Sequence, residues 1–340
     1  MTPTRGMTRL ARMPDRWQTG AMMKELHTPH YRYNLFGLIL ASDVALPMRT
    51  VLPPGEPRVD VTLRVGEVPE RLDQTEHRGP TWTANASRFL LDLPGIGRFL
   101  AHEGRHLTMQ PAPGIAVDDI LVFATGTGLA AILYQRGALL LHGSAVVHDG
   151  RAFVFCGPSG AGKSTLAGAI CRSGSVFAAD DVCAVEESGD GAPLIRPDGQ
   201  ALRLYADSIE CVGLQDLVGP RVRRRVEKFH VAAPGVEPAP EACVPLAAVY
   251  MLADANPVYP PGITALPAVS AAQALLRQSY RRRLALAYSA RGRPAARTAA
   301  LLSRAGVYRL HKPRDFAQLD DTVARLRAHW DRLSSEKDDG

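Results

Sequence analysis

The chain has 340 residues, 46% hydrophobic and 22% charged, a balance that excludes a disordered or fibrous protein. Its formal net charge of +6 points to an acidic partner, and nucleotide phosphates or an acidic peptide meet that need as well as nucleic acid would. Five widely spaced cysteines with no C-x-x-C pair offer neither a sequence-evident zinc site nor a disulfide framework, and they suit a reducing, cytoplasmic setting.

Residues 1–30 carry several Arg and Met residues but no signal-peptide apolar block, and they are expected to be a disordered extension. Met7, Met13, Met22 and Met23 leave a later translation start open. Residues 31–112 read as a small β-rich domain. Its runs are Tyr33 to Leu46, Val59 to Val65, Phe89 to Leu93 and Phe99 to Met109, punctuated by Pro53-Pro54, Gly79-Pro80 and Pro94-Gly95. Val117 to Gln135 is predicted as a helix bridging to a second domain over residues 113–332. Its apolar stretch, Leu121 to Tyr134, is interrupted by Thr and Gly and is too short for a bilayer of about 30 Å.

Ala138 to Val147 is a predicted apolar strand, His148-Asp149-Gly150 a turn and Ala152 to Cys156 a second strand, so the pair reads as a hairpin. A helix follows from about Lys163 to Arg172, stopped by Gly174. Val176 to Ala179 is a third strand ending on Asp180-Asp181, and Val182 to Glu186 a fourth with its turn at Ser188 to Gly191. Val244 to Leu252 is a further core strand. Helices are expected over Ser270 to Arg283, Pro294 to Arg304 and Asp315 to Trp330, with residues 333–340 a polar, disordered tail. Arg221, Arg223, Arg224, Arg225 and Lys228 form one basic cluster, and Arg281, Arg282 and Arg283 another. Neither has the interleaved aromatics or reader motif of a nucleic-acid binder.

The chemistry concentrates in Gly157-Pro158-Ser159-Gly160-Ala161-Gly162-Lys163-Ser164, which fits G-x-x-x-x-G-K-[ST] at every position. Gly157, Gly160 and Gly162 let the backbone fold into a nest of N–H groups aimed at phosphate oxygens. The loop opens a helix whose dipole favours the same anion. Lys163 is placed to reach the β- and γ-phosphates, and the Ser164 hydroxyl to ligate Mg²⁺. An apolar strand (Phe153, Val154, Phe155) enters and a helical pattern (Leu166, Ala169, Ile170) leaves, as that motif requires. Asp180-Asp181 is expected at the end of a parallel strand facing the ligand crevice. One carboxylate would hold metal and the other accept a proton from an attacking hydroxyl. His142 interrupts an apolar strand directly before the loop strand, which admits either a satisfied core histidine or an active-site one.

Taken together, His142-Gly143, the loop Gly157 to Ser164 and Ala179-Asp180-Asp181 resemble the HPr kinase/phosphorylase family, related to phosphoenolpyruvate carboxykinases. The resemblance covers roughly residues 137–214, with a weaker likeness through Val307-Tyr308-Arg309-Leu310. It implies an α/β fold, a mixed-sheet P-loop kinase core behind a small β-rich domain. It also implies transfer of the ATP γ-phosphate to a serine of a peptide or small protein, with Mg²⁺. On this resemblance Gly157 to Thr165 bind the nucleotide, Lys163 is the phosphate lysine and Ser164 the metal serine. His142 is the active-site histidine, Asp180 and Asp181 the metal and proton-accepting carboxylates, and Glu210 a later metal-linked glutamate. Asp181 is the preferred base. Thr165 stands where the bifunctional members usually carry an acid, and the segment after Glu210 lacks their glycine-rich acceptor loop. These departures favour the branch that tailors ribosomally made peptides, including lasso-peptide precursors. The family also includes homo-oligomers; neither a membrane nor a nucleic acid is implied.

Two rivals remain open from sequence. A small-metabolite kinase of the shikimate-kinase type also places acids soon after its lysine, but it generally begins with the loop and spaces its acids. A nucleotide-binding regulator without transfer activity would not need the acid pair.

Overall fold

The computed structural model describes residues 31–46, 57–198, 200–223, 226–233, 243–289 and 293–338. Strands β1 (Tyr31–Leu35) and β2 (Leu38–Ser42) form a hairpin where the sequence suggested one run. Phe36 and Gly37, with φ of 52° and 66°, reverse the chain in two residues. The sheet continues through β3 (Val61–Val65), β4 (His77–Arg78), β5 (Trp82–Ala84), β6 (Arg88–Leu93), β7 (Gly97–His102) and β8 (His106–Pro111). Its eight strands run in the order β1-β2-β3-β8-β7-β6-β5-β4, and β3 is parallel to both neighbours. The expected run Phe99 to Met109 is the β7–β8 hairpin.

Helix α1 (Val117–Phe123), a π-helical turn (Ala124–Gly128) and α2 (Leu129–Gln135) make the predicted helix continuous. It does not bridge. Ile120, Leu129, Ile132 and Tyr134 join Phe99, Ala101 and Leu107 of the sheet in one core, together with Tyr280, Leu284 and Tyr288 from far along the chain. By length and composition this helix could cross a membrane, but 72% of its apolar window is buried inside the protein. Its apolar side chains pack in the core against the sheet.

The second sheet has nine strands: β9 (Leu139–Leu141), β10 (Gly143–His148), β11 (Arg151–Cys156), β12 (Val176–Asp180), β13 (Cys183–Glu187), β14 (Pro193–Arg196), and three introduced below. The D-G hairpin is present, with His148 opposite Arg151. Helix α3 (Lys163–Arg172) follows β11, and Gly174 leaves its end at φ 103°. Residues 202–231, unassigned from sequence, form a small sheet of β15 (Leu202–Tyr205), β16 (Val218–Arg223) and β17 (Val226–Val231), with α4 (Ala206–Val212) after β15. Their Arg, Glu, Lys and His content hides the strand pattern from a hydrophobicity reading.

The nine-stranded sheet is completed by β18 (Val244–Asp254), β19 (Gly262–Ala265) and β20 (Gly306–Lys312). Strands β11, β18 and β20 are mutually parallel neighbours. The expected helix from Ser270 to Arg283 is two, α5 (Ala268–Arg277) and α6 (Arg282–Tyr288). Between them Tyr280 donates its N–H to Leu140 O at 2.9 Å and Ser279 bridges Leu141, so the chain is pulled onto β9 and the helix stops. Helix α7 (Arg293–Arg304) matches expectation, whereas α8 (Leu319–Asp338) starts later and runs past the predicted end at Trp330. The residues expected as a tail are helical as far as Asp338. Arg151 Nη1 donates to Ser334 Oγ at 2.9 Å, which holds this last part of α8 against β11.

Trp330 fixes α8 to the sheet. It is 1% exposed, stacks on Phe153 at a centroid distance of 4.1 Å, and its Nε1 donates to the Tyr250 hydroxyl at 3.0 Å. Trp330→Ala removes that ring and one of the two hydrogen bonds of the Tyr250 hydroxyl, and it is expected to destabilise the protein by about 3–5 kcal/mol. Equilibrium urea unfolding checks this; a loss under about 1 kcal/mol would mean that α8 docks by other contacts.

Candidate active site

The predicted strand Ala138 to Val147 breaks at His142, and the break builds the site. Strand β9 pairs with β13, whereas β10 pairs with β12, so the two chain segments form one long antiparallel ribbon bent in the middle. Leu141 faces Cys183 on one side of the bend and Ser144 faces Asp180 on the other. His142 and Asp181 lie at the bend, free of the ladder. Asp181 has φ 76°, a left-handed conformation that a short polar residue tolerates. His142 Nδ1 lies 3.0 Å from the Asp181 carbonyl oxygen and 3.3 Å from its Oδ1. The His142 N–H is donated to Gln278 O at 2.7 Å. Gly143 must be glycine here, because a Cβ would stand 2.7 Å from the Phe155 carbonyl oxygen.

Asp180-Asp181 was expected at the end of a parallel strand facing the ligand crevice. Strand β12 is antiparallel to β10, which is antiparallel to β11. Two reversals restore the direction, so β12 ends on the same side as β11. The ends of β18 and β20 lie there too, delivering Asp254 and Lys312. A cleft of about 370 Å³ collects these ends; its lining includes Ser159 to Thr165, both acids, His142, Arg203, Lys228 and Lys312.

The glycine-rich loop joins β11 to α3, with Gly160 and Gly162 at φ 79° and 82°. Lys163 is buried and donates from Nζ to Gly157 O at 2.9 Å and Pro158 O at 3.1 Å. Burial lowers its pKa, and the nearby Asp180 charge opposes that shift. Lys312 Nζ stands 3.3 Å from where a Cβ on Gly162 would be, so a second cation borders the loop. Its pKa is lowered, chiefly by burial.

The two acids differ sharply. Asp180 is 2% exposed; its Oδ1 accepts from Ser144 Oγ at 2.6 Å and Ser164 Oγ at 2.8 Å, and its Oδ2 from Arg203 N at 2.9 Å. Asp181 is open to the cleft, and its Oδ2 pairs with Arg203 Nη1 at 3.1 Å. Arg203 Nη2 also donates to Gln200 Oε1. Beneath them Asp198 is fully buried, accepting from Asp180 N and Gln200 N at 2.8 Å each, and burial pushes its pKa up to about 7.

Sequence reasoning missed Ser144, Asp198, Arg203 and Lys312. The available signal was a lone arginine in the apolar run Leu202-Arg203-Leu204; the others carried none. Thr165 lines the cleft and donates to Ser208 Oγ at 3.0 Å, tying α3 to α4. Glu210 is exposed on α4 and does not line the cleft, so the structure does not bring it to the other candidates. Asp207, one turn earlier on that helix, does line it. Of the first basic cluster, Lys228 reaches the cleft, Arg221 pairs with Glu227 at 2.8 Å, and Arg224 and Arg225 lie outside the described residues.

His230 stands opposite Arg203 across the β15–β17 pair. Burial first, and Arg203 second, lower its pKa from 6.5 to about 4. As pH falls the unfolded chain takes up this proton before the folded one does. Stability present above pH 6.5 is therefore expected to be lost progressively toward pH 4. Thermal melts at pH 7.5 and 5 read the loss, and His230→Gln should flatten that slope by up to about one proton. An unchanged slope in the variant would assign the acid sensitivity elsewhere.

Ser164 and Asp180 present hard oxygen donors beside the loop, a set that suits Mg²⁺. Among the described residues no group of three or more His, Cys, Asp or Glu forms a metal cluster.

No protein-family model and no curated protein matches the chain. Among solved structures, the Hpr(Ser) kinase/phosphatase from Coxiella burnetii is similar over 58% of this chain and 98% of that one, at 13% identity and a TM-score of 0.31. A likeness at that score carries no weight on function, which rests on the side chains of the cleft.

Proposed function

We propose that the chain is an ATP- and Mg²⁺-dependent kinase that transfers the γ-phosphate to a serine hydroxyl of a peptide or small protein. The observation that carries this is the division of labour between adjacent acids. Asp180 is buried, bonded to the loop serine and saturated with donors, which fits a metal-side carboxylate. Asp181 projects into the cleft from a left-handed backbone, which fits a proton acceptor for an incoming hydroxyl.

In this reading the loop N–H groups and Lys163 bind the phosphates, and Lys163 exchanges its two carbonyl acceptors for phosphate oxygens. Lys312 adds positive charge on the same side. Ser164 and Asp180 would hold Mg²⁺, which when bound neutralises charge that develops on the transferred group. Arg203 orients Asp181, and His142 braces it from the opposite side. Catalysis would come mainly from positioning and electrostatics.

The test incubates the full chain with γ-labelled ATP and Mg²⁺, together with serine peptides or an HPr-type protein, and reads products by mass spectrometry. One added phosphate on a serine supports the proposal. Tight ATP binding with no transfer to protein, peptide or metabolite would overturn it in favour of a nucleotide-dependent regulator.

A further inference from the structure

A relay of contacts leads from the loop to the basic turn between α5 and α6. Ser164 Oγ bonds Asp180 at 2.8 Å, the next residue Asp181 meets His142, and the His142 ring lies 6.0 Å from the Tyr280 ring. The Arg281 guanidinium in turn lies 5.6 Å from the Tyr280 ring centroid. Backbone bonds from His142 N to Gln278 O and from Tyr280 N to Leu140 O fix this turn to the rim of the cleft. Arg281 has φ 49°, and Arg281, Arg282 and Arg283 are all exposed.

Three surface arginines have acidic partners within the chain: Arg221 pairs with Glu227, Arg314 with Asp254 and Arg172 with Asp320. Among the described residues no ion pair engages Arg282 or Arg283. Three successive guanidinium groups repel one another, and an external anion relieves that repulsion. The nucleotide phosphates are not that anion, since Lys163 and Lys312 stand at the loop and the arginines lie beyond His142.

We propose that Arg281, Arg282 and Arg283 form the docking surface for the acceptor, a peptide segment whose serine is flanked by aspartate and glutamate. This deepens the kinase reading, because it seats the serine hydroxyl at Asp181 while the flanking acids lie on the arginines. A single-stranded nucleic acid fits less well. It needs exposed rings for its bases, whereas Tyr280, the aromatic of this rim, is only 6% exposed.

The test uses the full chain with ADP and Mg²⁺ and two fluorescein-labelled serine peptides, one with Asp/Glu flanks and one with Asn/Gln in their place. Fluorescence anisotropy is expected to show the acidic peptide binding at least about tenfold tighter, with the preference shrinking as salt rises. The double variant R282E/R283E should bind both peptides alike while its ADP affinity stays at the wild-type value. R221E, at an arginine paired with Glu227 on another element, should keep the preference. Equal binding of the two peptides to the wild type, or a preference that survives in R282E/R283E, would overturn the proposal. So would phosphatidylserine vesicles or single-stranded DNA competing for the arginines while the acidic peptide does not bind. An acidic preference without any phosphate transfer would keep the docking surface and reject the kinase reading. Transfer to both peptides with equal kcat/KM would keep the kinase reading and reject the surface.

Discussion

Lys163→Ala is expected to reduce phosphoryl transfer to less than about one part in a thousand of the wild-type rate. The ammonium group is the one fixed cation inside the glycine-rich loop's own sequence, and it is already held at the loop by Gly157 O and Pro158 O. Alanine leaves the backbone nest but removes the charge that opposes the developing negative charge on the γ-phosphate. Because Lys163 also ties the loop together, the variant's melting temperature should be measured beside its rate. A folded variant without activity supports the role, whereas a folded variant with wild-type turnover would sink the assignment. Lys312 is not expected to take over, since its Nζ approaches from β20 and not from within the loop.

Asp181→Asn is expected to lower kcat by at least about a hundredfold while nucleotide affinity stays near the wild-type value. The substitution isolates chemistry from folding. Asparagine is among the few residues that accept φ 76° readily, so the bend in the ribbon survives. Its carbonyl oxygen can still receive the Arg203 guanidinium, but its amide cannot accept a proton from serine. Asp180→Asn should behave differently. It disturbs the bonds to Ser144 and Ser164, so its main loss should appear in Mg²⁺-dependent nucleotide binding. Stopped-flow nucleotide binding and single-turnover transfer separate the two outcomes. If Asp181→Asn kept the wild-type kcat and Asp180→Asn lost it, the two roles would have to be exchanged.

The glycine-rich loop was legible because its chemistry is local. Three glycines, a lysine and a serine at fixed spacing, between an apolar strand and a helical pattern, leave little freedom in how the backbone folds. Asp180-Asp181 was legible for a similar reason, standing at the end of an apolar strand. Its strand runs in the expected direction, but nothing in residues 176–181 says that β10 lies between β12 and β11. Glu210 failed on the same ground: resemblance supplied a glutamate at about the right distance, but the phase of α4 turns Asp207 rather than Glu210 to the cleft.

Neighbours within a few residues encode the phosphate loop, the acid pair beyond it, the D-G hairpin and the helix over residues 117–135. That His142 and Asp181, 39 residues apart, meet where two paired chains bend together depends instead on the register of those strands. The tertiary structure also sets which acid is buried, and that Arg203 and Lys312 border one cleft while Arg281 lies over the Tyr280 ring beyond His142. Those residues arrive from separate strand ends and turns. Their proximity follows from how the sheet is wound, and no local spacing encodes it.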